Sequence, residues 1–212
     1  MAKLESNLKN MVLSLTLITL FAAAALGGVY VLTEEPIALA KQQKQTQAIA
    51  KVLPEYATLE DAEEHDGLIF HRALDQDGQL AGTAIETSEN GFGGVFRLMV
   101  GFDKEGNIVN YEVLEQQETP GLGTHMVEWF KTEKNNQSII GKNPAEMKFY
   151  VSKDGGDVDA ITAATISSRA FLKAVEKAHE AITTTQVEAL SAAIQLQDSI
   201  QTINNENTNG NE

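Results

Sequence analysis

No cysteine occurs anywhere in the 212 residues. Thiolate-held iron–sulfur clusters, disulfides and a thiol nucleophile are therefore closed to this chain, and any electron it handles must sit on an organic cofactor. Positive charge is scarce too. Lys and Arg number 16 against 30 Asp and Glu, a formal charge of -14. Nucleic acid, which needs clustered cations to displace its counterions, is excluded as a partner. The acidity suits solubility or docking to a basic surface. The four histidines, His65, His71, His125 and His179, lack the i, i+4 pairing of a metal-binding helix, so no metal site is expected. Gly91-Phe92-Gly93-Gly94 is followed by neither a Lys-Ser/Thr pair nor a dinucleotide pattern and is not a phosphate loop. Glu63-Glu64-His65-Asp66 reads as a solvated acidic turn, and no internal repeat is present.

One stretch lacks charge altogether. Between Met11 and Leu32 there is no Asp, Glu, Lys or Arg, and most residues are Leu, Val, Ile, Ala or Phe. At about 1.5 Å per residue a helix over this run reaches roughly 33 Å, enough to cross the hydrocarbon core. Lys3 and Lys9 precede it and Glu34, Glu35 and Pro36 follow. The positive-inside rule then leaves the N-terminus cytoplasmic and the rest of the chain outside, in contact with membrane lipid only through the span. A cleaved signal peptide competes, with Ala22 to Ala25 as its cleavage region. The apolar run continues past that point to Leu32, which favours a retained anchor. Ala23/Gly27 and Ala24/Gly28 have the spacing of a close helix contact, or are small residues merely tolerated in lipid.

Beyond the span the pattern predicts an α+β domain on a single-helix stalk. Expected boundaries are a cytoplasmic segment 1–10, a transmembrane helix 11–32, a helical neck or linker 33–60, a domain 61–185 and a polar tail 186–212. The neck should end near Pro54. Strands are predicted around Gln79 to Thr87 and through Phe96, Leu98, Val100 and Phe102, whose alternation with Val95, Arg97, Met99 and Gly101 gives one strongly apolar face. A turn over Asp103 to Asn107 returns the chain with Val109, Tyr111 and Val113 facing the core. Thr124 is expected to cap a helix carrying Met126, Val127, Trp129 and Phe130. Phe149 to Val151 should form a short strand, and Trp129, Phe130 and Tyr150 are read as core before cofactor-stacking groups. Phe171, Leu172, Val175, Ala178 and Ile182 share one face of a helix that starts near Ser167 or Ser168. A weak stripe from Val187 to Ile200 suggests more helix before a polar end over 204–212.

Two segments carry chemistry. Asp159-Ala160-Ile161-Thr162-Ala163-Ala164-Thr165-Ile166-Ser167-Ser168 sets hydroxyls at a helix N-terminus, where free N–H groups and the macrodipole favour a phosphate. By residue type alone, Thr162, Thr165, Ser167 and Ser168 also suit plain helix capping. Glu118-Thr119-Pro120-Gly121-Leu122-Gly123 is by itself an ordinary strand-to-helix turn, with a φ-fixing proline and two glycines that let backbone approach a flat group.

Together these segments resemble the FMN-binding domains of the G-subunit family of Rnf (Rsx) ion-translocating electron-transport complexes. The related C subunit of sodium-pumping NADH:quinone reductases is similar but longer. The first segment resembles the Asp-x-x-(Ser/Thr)-Gly-Ala-Thr signature at which a flavin transferase joins FMN to protein, with Ala163 where glycine is usual. The second matches the family's Glu-Thr-Pro-Gly-Leu-Gly loop. The resemblance implies a single transmembrane helix followed by a small FMN-binding α+β domain. It implies covalent FMN on Thr165 through a phosphoester, with Asp159, Thr162, Ala163 and Ala164 around the attachment point. Glu118, Thr119, Gly121 and Leu122 would lie against the isoalloxazine. Gln116 and Gln117 depart mildly from the family, which often has a His before the Glu. Implied partners are the other subunits of the membrane redox complex and, during maturation, the flavin transferase. The implied role is a non-autonomous redox subunit linked to ferredoxin and NAD, with no catalytic residue of its own. The alternatives are the C subunit of a quinone reductase and an anchored binding or assembly module without flavin.

Overall fold

The structure is a computed structural model and describes residues 7–185. The expected stripe from Val187 to Ile200 and the polar end over 204–212 lie outside the described residues. The chain divides into two units between Thr46 and Gln47.

The first helix, α1 (Leu8–Val52), crosses that division and contains Pro36 in its interior. Within the first unit none of its residues is buried, and among the described residues it is the one helix long and apolar enough to span a membrane. The anchor and neck read from the sequence are thus one continuous helix, ending two residues before Pro54 as the restriction on residues preceding proline requires.

The second unit is built on a six-stranded antiparallel sheet. Its strands are β1 (Thr58–Leu59), β2 (Glu63–His65), β3 (Leu68–Leu74), β4 (Leu80–Asn90), β5 (Val95–Asp103) and β6 (Ile108–Glu115). The order is β1-β3-β4-β5-β6, with β2 sharing the β3 edge. Two expectations change here. Glu63 to His65 is a strand, not a turn; the turn is Asp66-Gly67, both at positive φ (51° and 73°), the two-residue geometry that suits the twist of a hairpin. In β6 the register shifts opposite Gly101/Phe102, so Ile108 is buried and Val109 only half-buried, while Tyr111 and Val113 face the core as expected. A strict period of two cannot anticipate a bulge.

Both faces of the sheet are covered. On one, Phe96, Leu98, Val100 and Phe102 pack with the helical segment 165–185, here α3, through Phe171, Leu172, Val175, Ala178 and Ile182, all buried. Phe171 stacks on Phe130 at 4.3 Å and meets Tyr111 edge-on at 4.8 Å. On the other, Ala48, Ile49, Val52 and Leu53 at the end of α1 cover Ala73, Ala84, Met99 and Leu114. Here Gly101 matters: a Cβ on it would overlap the Val52 carbonyl. Met99 and Gly101 are therefore buried like the residues of the opposite face, which the polar Arg97 in the same row conceals in the sequence.

After β6 the chain forms a 3-10 turn (Gly123–His125) and a single helical turn, α2 (Met126–Trp129). Thr124 does not cap that turn. Its hydroxyl accepts from Gly121 N at 3.0 Å and reaches the Thr119 carbonyl, closing the preceding loop on itself. The Tyr111 hydroxyl donates to the Met126 carbonyl at 2.7 Å and fastens α2 to β6. Phe149 to Val151 is not a strand; only an isolated parallel bridge, Val151 to Val158, forms there, and Tyr150 is exposed rather than core.

Candidate functional site

Three segments distant in sequence converge beside the N-terminus of α3: the β4–β5 turn at Gly91 to Gly94, the loop after β6 from Gln116 to Gly123, and residues 159–168. The side chain that joins them is Glu118, which is 5% exposed. Its carboxyl group accepts from the Ser167 hydroxyl at 2.8 Å and from Gly93 N at 3.3 Å. Glycine at 91 and at 123 leaves the space it occupies, since a Cβ at either would overlap a carboxyl oxygen. A buried carboxyl group is stable only when hydrogen-bonded, so Glu118 ties the two motifs and the glycine turn into one rigid wall.

The α3 end is set just as firmly. Ala163 stands at φ 61°, in the left-handed region that glycine tolerates and a Cβ opposes. This reversal aims residues 164–168 into the helix, whose first backbone bond is Ser168 N to Ala164 O at 3.0 Å. Thr165 is the first helical residue, two to three earlier than expected from the serines. The serines point inward instead: Ser168 Oγ accepts from Ile161 N at 2.9 Å and donates to the Ala164 carbonyl, while Ser167 holds Glu118. The N–H groups of residues 165–167 precede the helical ladder and are the donors a helix start offers to an anion.

Between these walls lies a cavity of about 380 Å³ lined by Phe92, Glu118, Thr119, Leu122, Gly123 and Ala163 through Ser167. Its size falls within the range of cofactor pockets, roughly 300–1,000 Å³. Phe92, Ile166 and Leu122, respectively 70%, 53% and 39% exposed, are apolar groups left in water at its rim. Of the residues singled out in the sequence, Glu118, Thr119, Leu122, Ala163, Ala164 and Thr165 meet here. Gly121, Thr162 and Asp159 do not line it. Asp159 fastens the neighbouring turn. Its carboxylate accepts from Ser152 Oγ at 2.9 Å and Asn136 N at 3.3 Å, and its carbonyl accepts from Trp129 Nε1 at 2.8 Å.

That turn, the 3-10 segment Ser152–Asp154, delivers a residue the motifs did not indicate. Lys153 Nζ donates to Thr165 Oγ1 at 2.9 Å. Its neighbour Asp154 accepts from Arg169 Nε and Nη2, each at 2.7 Å, which holds the Asp154 carboxyl below its ordinary range. Phe92 and Ile166 were also unmarked in the sequence, although the paired glycines around Phe92 were visible. Lys153 left no local signal, because its role depends on a contact across 12 positions.

The site suits a flavin mononucleotide. An apolar slot offers surface to a flat ring, and the three N–H groups at the start of α3, without a partner among the described residues, offer donors to an anion beside a half-buried hydroxyl and an ammonium. Comparison with known proteins agrees. The FMN-binding domain family matches residues 91–180. The G subunit of the ion-translocating oxidoreductase complex of Vibrio vulnificus is 30% identical over 200 residues, covering 82% of this chain and 90% of that protein. The corresponding G subunit of Vibrio cholerae is 34% identical over 182 residues, covering 77% and 86%. That of Methanosarcina acetivorans is 26% identical over 182 residues, covering 82% and 94%.

Proposed function

Because the chain belongs to the G-subunit family of ion-translocating oxidoreductase complexes, we propose that it is an electron-carrying subunit of such a complex, with FMN attached covalently to Thr165. The observation that carries this reading is the cavity that opens beside the Thr165 hydroxyl, walled by both sequence motifs. When bound, FMN supplies one- and two-electron redox chemistry. The chain's own residues hold and shield it. Phe92, Leu122 and Ile166 offer apolar surface, and Glu118 fixes the walls through Ser167 and Gly93. The free N–H groups at the start of α3 neutralise a phosphodiester.

Attachment begins at the threonine. Thr165 Oγ bonds to the FMN-side phosphorus of FAD, the bridging P–O bond breaks, and AMP leaves with that electron pair. The hydroxyl proton passes to a base on the flavin transferase. No oxidant or reductant is consumed.

In this reading residues 1–10 lie in the cytoplasm, the span covers 11–32, and the flavin domain, 61–185, is on the opposite side. Lys3 and Lys9 before the span, with Glu34 and Glu35 after it, support that direction. The complex would couple electron flow between ferredoxin and NAD to Na⁺ or H⁺ movement, and the other subunits are the partners. The test is made in membrane vesicles containing the whole complex. Thr165→Ala should assemble with the other subunits yet abolish substrate-driven electron transfer through them. Undiminished electron transfer in that variant would leave the chain as an assembly module.

A further inference from the structure

Lys153 spends its ammonium on a neutral hydroxyl. No carboxylate lies within 4.0 Å of it among the described residues, although its neighbour Asp154 is an acid. That acid is taken by Arg169 through two bonds of 2.7 Å, one turn along α3 from Thr165. The segment bearing Lys153 is held on every side. Ser152 Oγ is bound to Asp159 and Ser152 N to the Val158 carbonyl, and Asp154 N bonds to the Val151 carbonyl at 2.8 Å. A solvent-exposed lysine normally wanders at the end of four flexible bonds. Here the backbone beneath it is pinned, Asp154 is neutralised by a different cation, and the amine meets the acceptor oxygen at 2.9 Å.

We propose that Lys153 is a positioning residue for flavin attachment: its ammonium orients the Thr165 hydroxyl as acceptor and then stays as the counter-charge of the phosphodiester. The inference rests on the reading of Thr165 as the flavin acceptor. Chemically, an N–H donated to Oγ occupies one lone pair and turns the hydroxyl proton away from the lysine, towards an incoming base. As the Thr165 O–P bond forms and AMP leaves, negative charge on the phosphorus oxygens develops within reach of the same ammonium. A charge-assisted hydrogen bond is stronger there than to a neutral hydroxyl, so the interaction grows along the reaction. The Asp154–Arg169 pair keeps Asp154 from capturing Lys153. Asp159 contributes through Ser152, which gives that motif residue a role without contact with the cavity.

The experiment uses the full-length chain purified without flavin, a purified flavin transferase, FAD and Mg²⁺, with incorporation followed by flavin fluorescence in denaturing gels. Lys153→Met should lower the rate at saturating chain by roughly 10- to 100-fold, the factor expected for one lost hydrogen bond to a charged group. The chain concentration for half-saturation and the melting temperature should be unchanged. Lys153→Arg, which keeps the charge and donors, should restore most of the rate. A labelled wild type with an equally fast Lys153→Met overturns this inference alone. So does a defect confined to half-saturation that Arg does not rescue, which would make Lys153 a transferase docking contact. A wild type that takes up no flavin defeats the acceptor reading and this inference with it.

Discussion

Replacing Ala163 by glycine should stabilise the protein, against the usual effect of adding glycine. Ala163 sits at φ 61° in the turn that aims Thr165. A Cβ in the left-handed region costs about 1–2 kcal/mol, which glycine removes. The greater freedom of glycine in the unfolded chain takes back about 0.4–1 kcal/mol. Ala163 is exposed, so only a solvated methyl is lost with it. The net gain is about 0.5–1 kcal/mol, equivalent to about 1–4 °C in Tm for a domain of this size. Thermal unfolding of the full-length chain in detergent, followed by near-ultraviolet dichroism, reads this directly. The single tryptophan, Trp129, reports on the site because its indole N–H bonds to the carbonyl of Asp159. Ala163→Val is the opposite control, since a β-branched residue tolerates positive φ least. A glycine variant that melts lower than wild type, or a valine variant that melts the same, would refute the strained turn.

Three further outcomes follow from contacts already described. Gly101→Ala should destabilise by about 1–3 kcal/mol, the range for overpacking, because its Cβ would overlap the Val52 carbonyl; an unchanged thermal midpoint would contradict this packing of the α1 end. Ser167→Ala should cost about 1–3 kcal/mol by leaving the buried Glu118 carboxyl group short of a donor, and a double-mutant cycle with Glu118→Gln should show coupling between the two. Burial pushes the imidazole pKa of both His71 and His179 down from 6.5, with Glu86 and Glu180 partly opposing, so the folded state holds them neutral while the unfolded state protonates. Stability from these groups is therefore complete above about pH 7 and is lost as pH falls through 6.5 towards the folded values. Tm should drop on acidification from about pH 7.5 to 5.5, less so in His71→Gln, and a rise would contradict the assignment.

Much of this architecture was legible because strong periodicities and punctuated turns report locally. The charge-free run fixed a helix, and the apolar alternation of β5 and the 3.6-fold stripe of α3 each fixed an element with its buried face. What was misread depended on partners elsewhere. Val109 left the core because a bulge shifted the register, and Thr124 closed its own loop instead of capping α2. Ser167 and Ser168, read as caps, were drawn inward by Glu118 and Ile161 N. In the site, the two motifs supplied most of the cavity wall. The glycines at 91 and 93 showed only that the segment is no phosphate loop; their purpose is spatial, Gly91 leaving room for the Glu118 carboxyl group and Gly93 for the Gln117 carbonyl. Lys153 was invisible, since nothing in its neighbours announces that it meets Thr165. Ala163, noted only as a departure from glycine, proved to occupy the one position in that loop with positive φ.

The central claim, a flavin carried on Thr165, is tested most directly by flavin fluorescence of the denatured protein band. Wild type and Thr165→Ala would be expressed side by side with a flavin transferase and exported. A fluorescent wild-type band beside a dark variant is the predicted result. A dark wild-type band would contradict covalent attachment, and an equally bright Thr165→Ala band would move it to another hydroxyl, with Thr162 the first to examine.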